Sequence, residues 1–355
     1  MKKSFKLLIY SIVIALLIFF ISKIQIRNTI HTLFSLDPIY LLSYVLVIFL
    51  LFVFITYRWI FLLNVHSKNR INLPFITFFK YRIISYAVSY ITPFALIGGE
   101  PVRAWLVRKQ LPLPKALSAT MIDKLLDIIL NLVILIFAFF VILIKFSFIG
   151  YSILITFLVL GFFGIFLILF FILRFTAGKT AILLIARFFR VHKIKFFEKH
   201  INLLKNMENE LIEFFTKKKK TLIISFIYTA IAAILMYFEY LTLLDSMHIF
   251  EISFFIPIIL LTVIGFSFII PVPAGAGTME LFIISLFMAI GLDPGKGLAL
   301  ALIVRLKDIV IAIIGIFLLL KTDFDFNKFK RINDKDGQID FAIRGDKDLQ
   351  KADES

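Results

Sequence analysis

Along most of this chain, apolar residues run unbroken rather than alternating, which is the pattern of segments surrounded by lipid or by other helices. Six runs are long and apolar enough to cross a bilayer: about 5–22, 39–57, 122–144, 152–173, 221–243 and 298–320. Each approaches or reaches the roughly 18–20 residues that a hydrocarbon core requires. Two further stretches, about 75–110 and 253–291, are apolar but interrupted, the first at Pro93/Gly98-Gly99 and the second at Pro271/Pro273/Gly275/Gly277. Each is expected to form a re-entrant or broken helical hairpin. The fold class is therefore an all-α polytopic membrane protein, with about six full spans and two hairpins.

The pattern also repeats. Residues 111–130 (LPLPKALSATMIDKLLDIIL) align without a gap on 292–311 (LDPGKGLALALIVRLKDIVI), with seven of twenty positions identical. Lys124 falls opposite Arg305, and Asp127 opposite Asp308. A broken stretch ending in a glutamate precedes each copy, PFALIGGE at 93–100 and PAGAGTME at 273–280. Matched halves carrying broken helices beside intramembrane charge are a common plan of transporters. The organisation read from this is an integral membrane domain over 1–320, with repeat one at about 5–144 and repeat two at about 152–320. A cytoplasmic amphipathic linker is expected over 177–216, and a disordered cytoplasmic tail over 321–355.

Composition narrows the class. Hydrophobic residues make up 61% of the chain and charged residues 17%, with a formal net charge of +16. The basic residues lie mainly in loops, so topology explains them and nucleic acid is not an expected partner. Residues 174–220 carry twelve Lys/Arg against four Glu, which places that loop, like 58–82, in the cytoplasm with both termini. The three crossings between the hairpins then set them on opposite sides of a plasma membrane, as inverted repeats. The apolar run after MKKSFK is read as an uncleaved first span, because no small-residue cleavage site follows it. No cysteine is present, which excludes thiolate metal sites, and the five histidines have no ligand spacing. Neither a metal nor another cofactor is expected, and no catalytic residue is assigned.

The candidate substrate-binding residues are the charges and glycines of the repeat. Arg305, Lys307 and Asp308 interrupt a span, where each charge costs about 2.5–3.5 kcal/mol on insertion scales. Arg305 and Asp308 are three apart and able to pair. Lys307 points elsewhere and needs Glu280, Glu239, Asp127 or water. Lys124 and Asp127, with Asp123, are the matching group. The hairpins add Gly98, Gly99, Glu100 and Arg103, then Gly275, Gly277 and Glu280; Glu100 and Arg103 are spaced to meet at i,i+3. Half-helices starting near Pro101 and Thr278 would direct positive ends at a cavity, which suits phosphate. Structural ion pairing and close helix packing are the plainer alternatives for these groups.

At GGEPVR (98–103), DKLLD (123–127), PVPAGAGTME (271–280) and the Arg305 span, the chain resembles the lysylphosphatidylglycerol synthase transmembrane-region family, a flippase-like membrane module. The motifs occur in the family's order over about 5–320. Asp123-Lys124 stands where the family often has Glu-Arg, and Ala-Gly-Ala-Gly (274–277) where it often has Gly-Gly-Leu-Gly. A lysine at 124 removes bidentate phosphate recognition there. The resemblance implies the membrane module alone, without the soluble domain that transfers lysine. The expected function is flipping of a phospholipid or a polyprenyl-phosphate-linked anionic head group. The alternatives are a membrane subunit of an enzyme that modifies such lipids, or a structural partner of a separate transferase.

Overall fold

The computed structural model describes residues 26–67, 71–92, 98–145, 211–250, 255–268 and 275–322, together with Val272 and shorter stretches between 159 and 209. The expected span at 5–22, both hairpin-tip segments 93–97 and 273–274, the charged alternation at 187–195 and the tail beyond 322 lie outside them. All regular structure among the described residues is helical. The elements are α1 (Ile26–Phe34), α2 (Pro38–His66), α3 (Phe75–Ile91), α4 (Glu100–Leu106), α5 (Leu113–Lys145), α6 (Lys219–Ser246), α7 (Ile256–Ser267), α8 (Thr278–Ala289) and α9 (Pro294–Leu320).

Pro38–His66, Leu113–Ile142 and Lys219–Ser246 are long and apolar enough to cross a membrane. Helix α9 has 27 residues, about 40 Å of rise, although Arg305, Lys307 and Asp308 interrupt its apolar run. The protein is a polytopic α-helical membrane protein. Asp37 and Asp293 cap α2 and α9 by accepting from the backbone N–H of Ile39 and Gly295, at 2.8 Å each, and each is followed by a proline at the first helical position.

The two interrupted stretches fold as helix–break–helix units. Helices α3 and α4 pack on each other, as do α7 and α8. At 17, 12 and 12 residues, α3, α7 and α8 rise about 25, 18 and 18 Å, each short of a hydrocarbon core about 30 Å thick. In each unit the second helix packs against the first. Gly99 permits the first return: a Cβ on it would lie 1.8 Å from the Ser85 carbonyl oxygen, and its N–H donates to Ser89 Oγ at 2.9 Å. Gly277 permits the second, with φ at +82°, a conformation that side chains rarely adopt.

The repeat extends well beyond the twenty aligned positions. Pro38, Phe75 and Leu113 begin α2, α3 and α5, while Lys219, Ile256 and Pro294 begin α6, α7 and α9, each 181 positions after its counterpart. Leu62 and Leu63 thus match Leu243 and Leu244, and all four are fully buried. Between the halves, α2 packs on α6, α3 on α9, and α7 on α5. One apolar core joins α6–α9 to Tyr44 of α2 and to Leu130, Ile134 and Ile142 of α5; a second surrounds Trp59, Phe78, Ile122 and Phe214.

Candidate functional site

The charges of α5 lie deeper in their helix than the apolar run alone implies, because α5 begins at Leu113 and extends the expected span by nine residues. Asp123 is fully buried, and three arginines converge on it. Arg58 Nε reaches Asp123 Oδ1 at 2.7 Å; Arg82 Nη2 and Arg103 Nη1 reach Oδ2 at 2.8 and 2.9 Å. Arg58 also donates to Asp127 Oδ1 at 2.5 Å, to the Asp123 carbonyl and to Thr229 Oγ1 on α6. The Arg103 guanidinium lies over the Trp59 ring, 4.6 Å from its centroid. Arg82 donates also to the Ile55 carbonyl, but the Nε atoms of Arg82 and Arg103 are buried without an acceptor.

Beside this group, Lys124 approaches Glu100 at 3.4 Å. The second half holds the equivalent pair. Glu280 Oε1 accepts from Arg305 Nε and Nη2 at 2.9 and 2.7 Å. Its other oxygen, Oε2, accepts from the Gly277 N–H at 2.9 Å. In both halves, then, a glutamate in the first turn after the hairpin break meets the basic residue of the next long helix. Arg305 is held further by the Gly275 carbonyl and by Tyr90 Oη, at 3.1 Å each. The anion at the start of α8 is Glu280 itself. That end of α8 is therefore not the free positive end anticipated for phosphate, while α4, of seven residues, begins with no side-chain cap.

Two expected pairings give way to longer-range ones. Arg103 turns to Asp123 while Glu100 takes Lys124, so the i,i+3 pair is replaced. Arg305 turns to the hairpin, while Asp308 accepts from Tyr86 Oη at 2.6 Å and lies 3.3 Å from Lys307. Lys307 finds Glu239, one of its anticipated partners, at 2.8 Å. It is therefore not a surplus cation.

Four contributors fall outside the sequence-based set: Arg58, Arg82, Tyr86 and Tyr90. Three of them had a signal in α3, where Arg82, Tyr86 and Tyr90 recur every four residues and form one polar stripe along the helix. That stripe runs from Asp123 past Asp308 to Arg305 and joins the charged groups of the two halves. The displacement of 181 also sets Arg58 opposite Glu239, so the same place in the fold carries opposite charges in the two halves.

Across the described site, six basic side chains (Arg58, Arg82, Arg103, Lys124, Arg305, Lys307) face six carboxylates (Glu100, Asp123, Asp127, Glu239, Glu280, Asp308). The balance is not local. Around Asp123 and Asp127, three arginines meet two carboxylates, an excess of one positive charge. Around Lys307, two carboxylates meet one cation, an excess of one negative charge. The Glu100–Lys124 and Glu280–Arg305 pairs are each neutral.

The architecture is that of a helical membrane protein with two hairpin-bearing halves joined by buried charge. A comparison with protein families matches residues 5–315 to the family described as "Lysylphosphatidylglycerol synthase TM region". The chain belongs to that family, whose members are membrane modules related to phospholipid modification or translocation. No curated protein and no solved structure matches the chain.

Proposed function

We propose that this protein moves a phospholipid, or a lipid-linked anionic head group, across the membrane along the seam between its two halves. The observation that carries this reading is the excess positive charge around Asp123, next to a lysine only loosely engaged. Arg82 and Arg103 each keep one N–H without an acceptor, and Lys124 has a single carboxylate contact at 3.4 Å. A phosphate arriving beside Lys124 neutralises the excess and supplies the missing acceptors, with some rearrangement of the buried arginines.

In this reading Gly98, Gly99, Gly275 and Gly277 let the hairpins turn beside the path. Glu100, Arg103, Lys124 and Asp127 on one side, and Glu280, Arg305, Lys307 and Asp308 on the other, form its polar lining. The halves are inverted repeats that exchange access by rocking, in a plasma membrane with both termini cytoplasmic. The stripe on α3 transmits the state of one half to the other.

The test is translocation of labelled anionic lipids in liposomes, comparing wild type with Lys124→Gln, Glu100→Gln and Arg305→Gln. Loss of lipid movement in all three, with folding intact, is the expected result. Unchanged movement removes the site. Normal folding with loss of a co-purifying transferase would favour the reading as a structural partner. Covalently altered lipid would favour the enzyme-module reading.

A further inference from the structure

The charge deficit in the second half marks a place of a different kind. Glu239 on α6 and Asp308 on α9 share one cation, Lys307, and all three are largely buried in side-chain terms: 6%, 3% and 17% exposed. Among the described residues, no second cation corrects the imbalance from the other elements packed there. The groups facing it are Tyr44 of α2, Tyr86 of α3 and Tyr240 of α6, all neutral, and Glu280 on α8 is matched by Arg305. In the first half the equivalent position holds Arg58, and the balance is reversed.

The two carboxylates are not equally supported. Asp308 accepts from Tyr86 at 2.6 Å in addition to its contact with Lys307. Among the described residues, the Glu239 carboxylate accepts from Lys307 alone. Beside them, the Tyr44 hydroxyl is buried, with the residue 3% exposed, and has no hydrogen-bond partner among the described residues. It stands within electrostatic reach of Glu239, Lys307 and Asp308 together. A buried hydroxyl without a partner is costly unless a ligand or a second state satisfies it.

We propose that the Glu239–Lys307–Asp308 group is a proton-binding site that couples proton movement to lipid translocation, with Glu239 as the acceptor. The proton adds to a Glu239 carboxylate oxygen, and a shift of the side chains brings the new O–H to the Tyr44 hydroxyl oxygen, which it does not touch in the present state. Lys307 stays an ammonium and moves its pairing to Asp308, so the group becomes neutral. Loss of the Glu239–Lys307 pair frees α6 from α9, the mechanical consequence that a coupled transporter needs. The coupling part rests on the translocase reading; the proton site does not.

Two measurements separate them. Infrared spectra of the purified protein, titrated from alkaline to acidic pH, are expected to gain the carbonyl band of one buried carboxylic acid. That band is lost in Glu239→Gln. In Tyr44→Phe, which removes no existing hydrogen bond, the protonated fraction at a fixed pH falls by up to about tenfold, the equivalent of one lost hydrogen bond.

In liposomes, transport of labelled phosphatidylglycerol by wild type is expected to rise several-fold under an imposed proton gradient. In Glu239→Gln the stimulation is lost, so that its transport is the same with and without the gradient. Absence of the band in folded wild type overturns the proton site whatever the lipid does. A band without lipid movement retains the site and overturns the translocase reading. Transport that ignores the proton gradient, or follows sodium instead, overturns the coupling.

Discussion

Replacing Asp123 by asparagine tests whether the buried charge group holds the fold together. Asparagine preserves the shape and offers one carbonyl oxygen, but removes the charge that three guanidinium groups share. Arg58 keeps Asp127 at 2.5 Å, so the damage concentrates on Arg82 and Arg103, whose ion pairs among the described residues are with Asp123 alone. Removing one partner of a buried pair costs about 3–5 kcal/mol, because the other is left uncompensated. That is a loss of about two to three and a half powers of ten in the folding equilibrium. Equilibrium unfolding in mixed micelles, followed by tryptophan fluorescence (Trp59 lies in the group), reads it directly. The Asp123→Asn/Arg103→Gln double variant is expected to recover part of the loss, since it removes one stranded cation along with the carboxylate. A single variant within about 0.5 kcal/mol of wild type, the ordinary range for surface changes, would refute the reasoning.

Three further outcomes follow from the same geometry. Gly99→Ala places a methyl group against the Ser85 carbonyl, which is backbone and unable to step aside; it is expected to open the first hairpin, raising protease sensitivity between α3 and α4. Tyr86→Phe removes a 2.6 Å hydrogen bond to Asp308 between the halves and is expected to cost about 1.5–3 kcal/mol in the same unfolding assay, with translocation reduced. Arg305→Lys keeps the charge but not the fork that holds Glu280, Gly275 and Tyr90 at once, so transport should fall between wild type and Arg305→Gln.

Much of the fold was legible because it is written in local signals. The half-helices begin where Pro101 and Thr278 suggested, and the hairpin glycines sit where the backbone turns. The ungapped match of 111–130 with 292–311 carried the register of the whole repeat. Had it been extended to α2 and α6, it would have set Arg58 against Glu239 and shown that the equivalent positions differ in sign. The partners were harder to read. Arg103 chooses Asp123 over Glu100, and Arg305 chooses Glu280 over Asp308, because helix packing brings full carboxylates within 3 Å, whereas an i,i+3 neighbour offers only a surface-type contact. Helix spacing along one chain segment does not contain that information. Asp123 lies deeper than the apolar run from 122 implies because α5 starts at Leu113, between Pro112 and Pro114, where proline is tolerated in the first turn.

The proposed lipid path depends most on the two halves being inverted copies whose hairpins enter from opposite sides. The chain contains no cysteine, so single substitutions report without background. Gln110→Cys, exposed after the first hairpin, and Phe250→Cys, exposed before the second, are to be labelled with an impermeant maleimide in intact cells and in inverted vesicles. With inverted halves, Phe250→Cys reacts from outside and Gln110→Cys only from the cytoplasmic face. Labelling of both from the same side would contradict the inverted repeat, and with it the seam through which lipid is proposed to move.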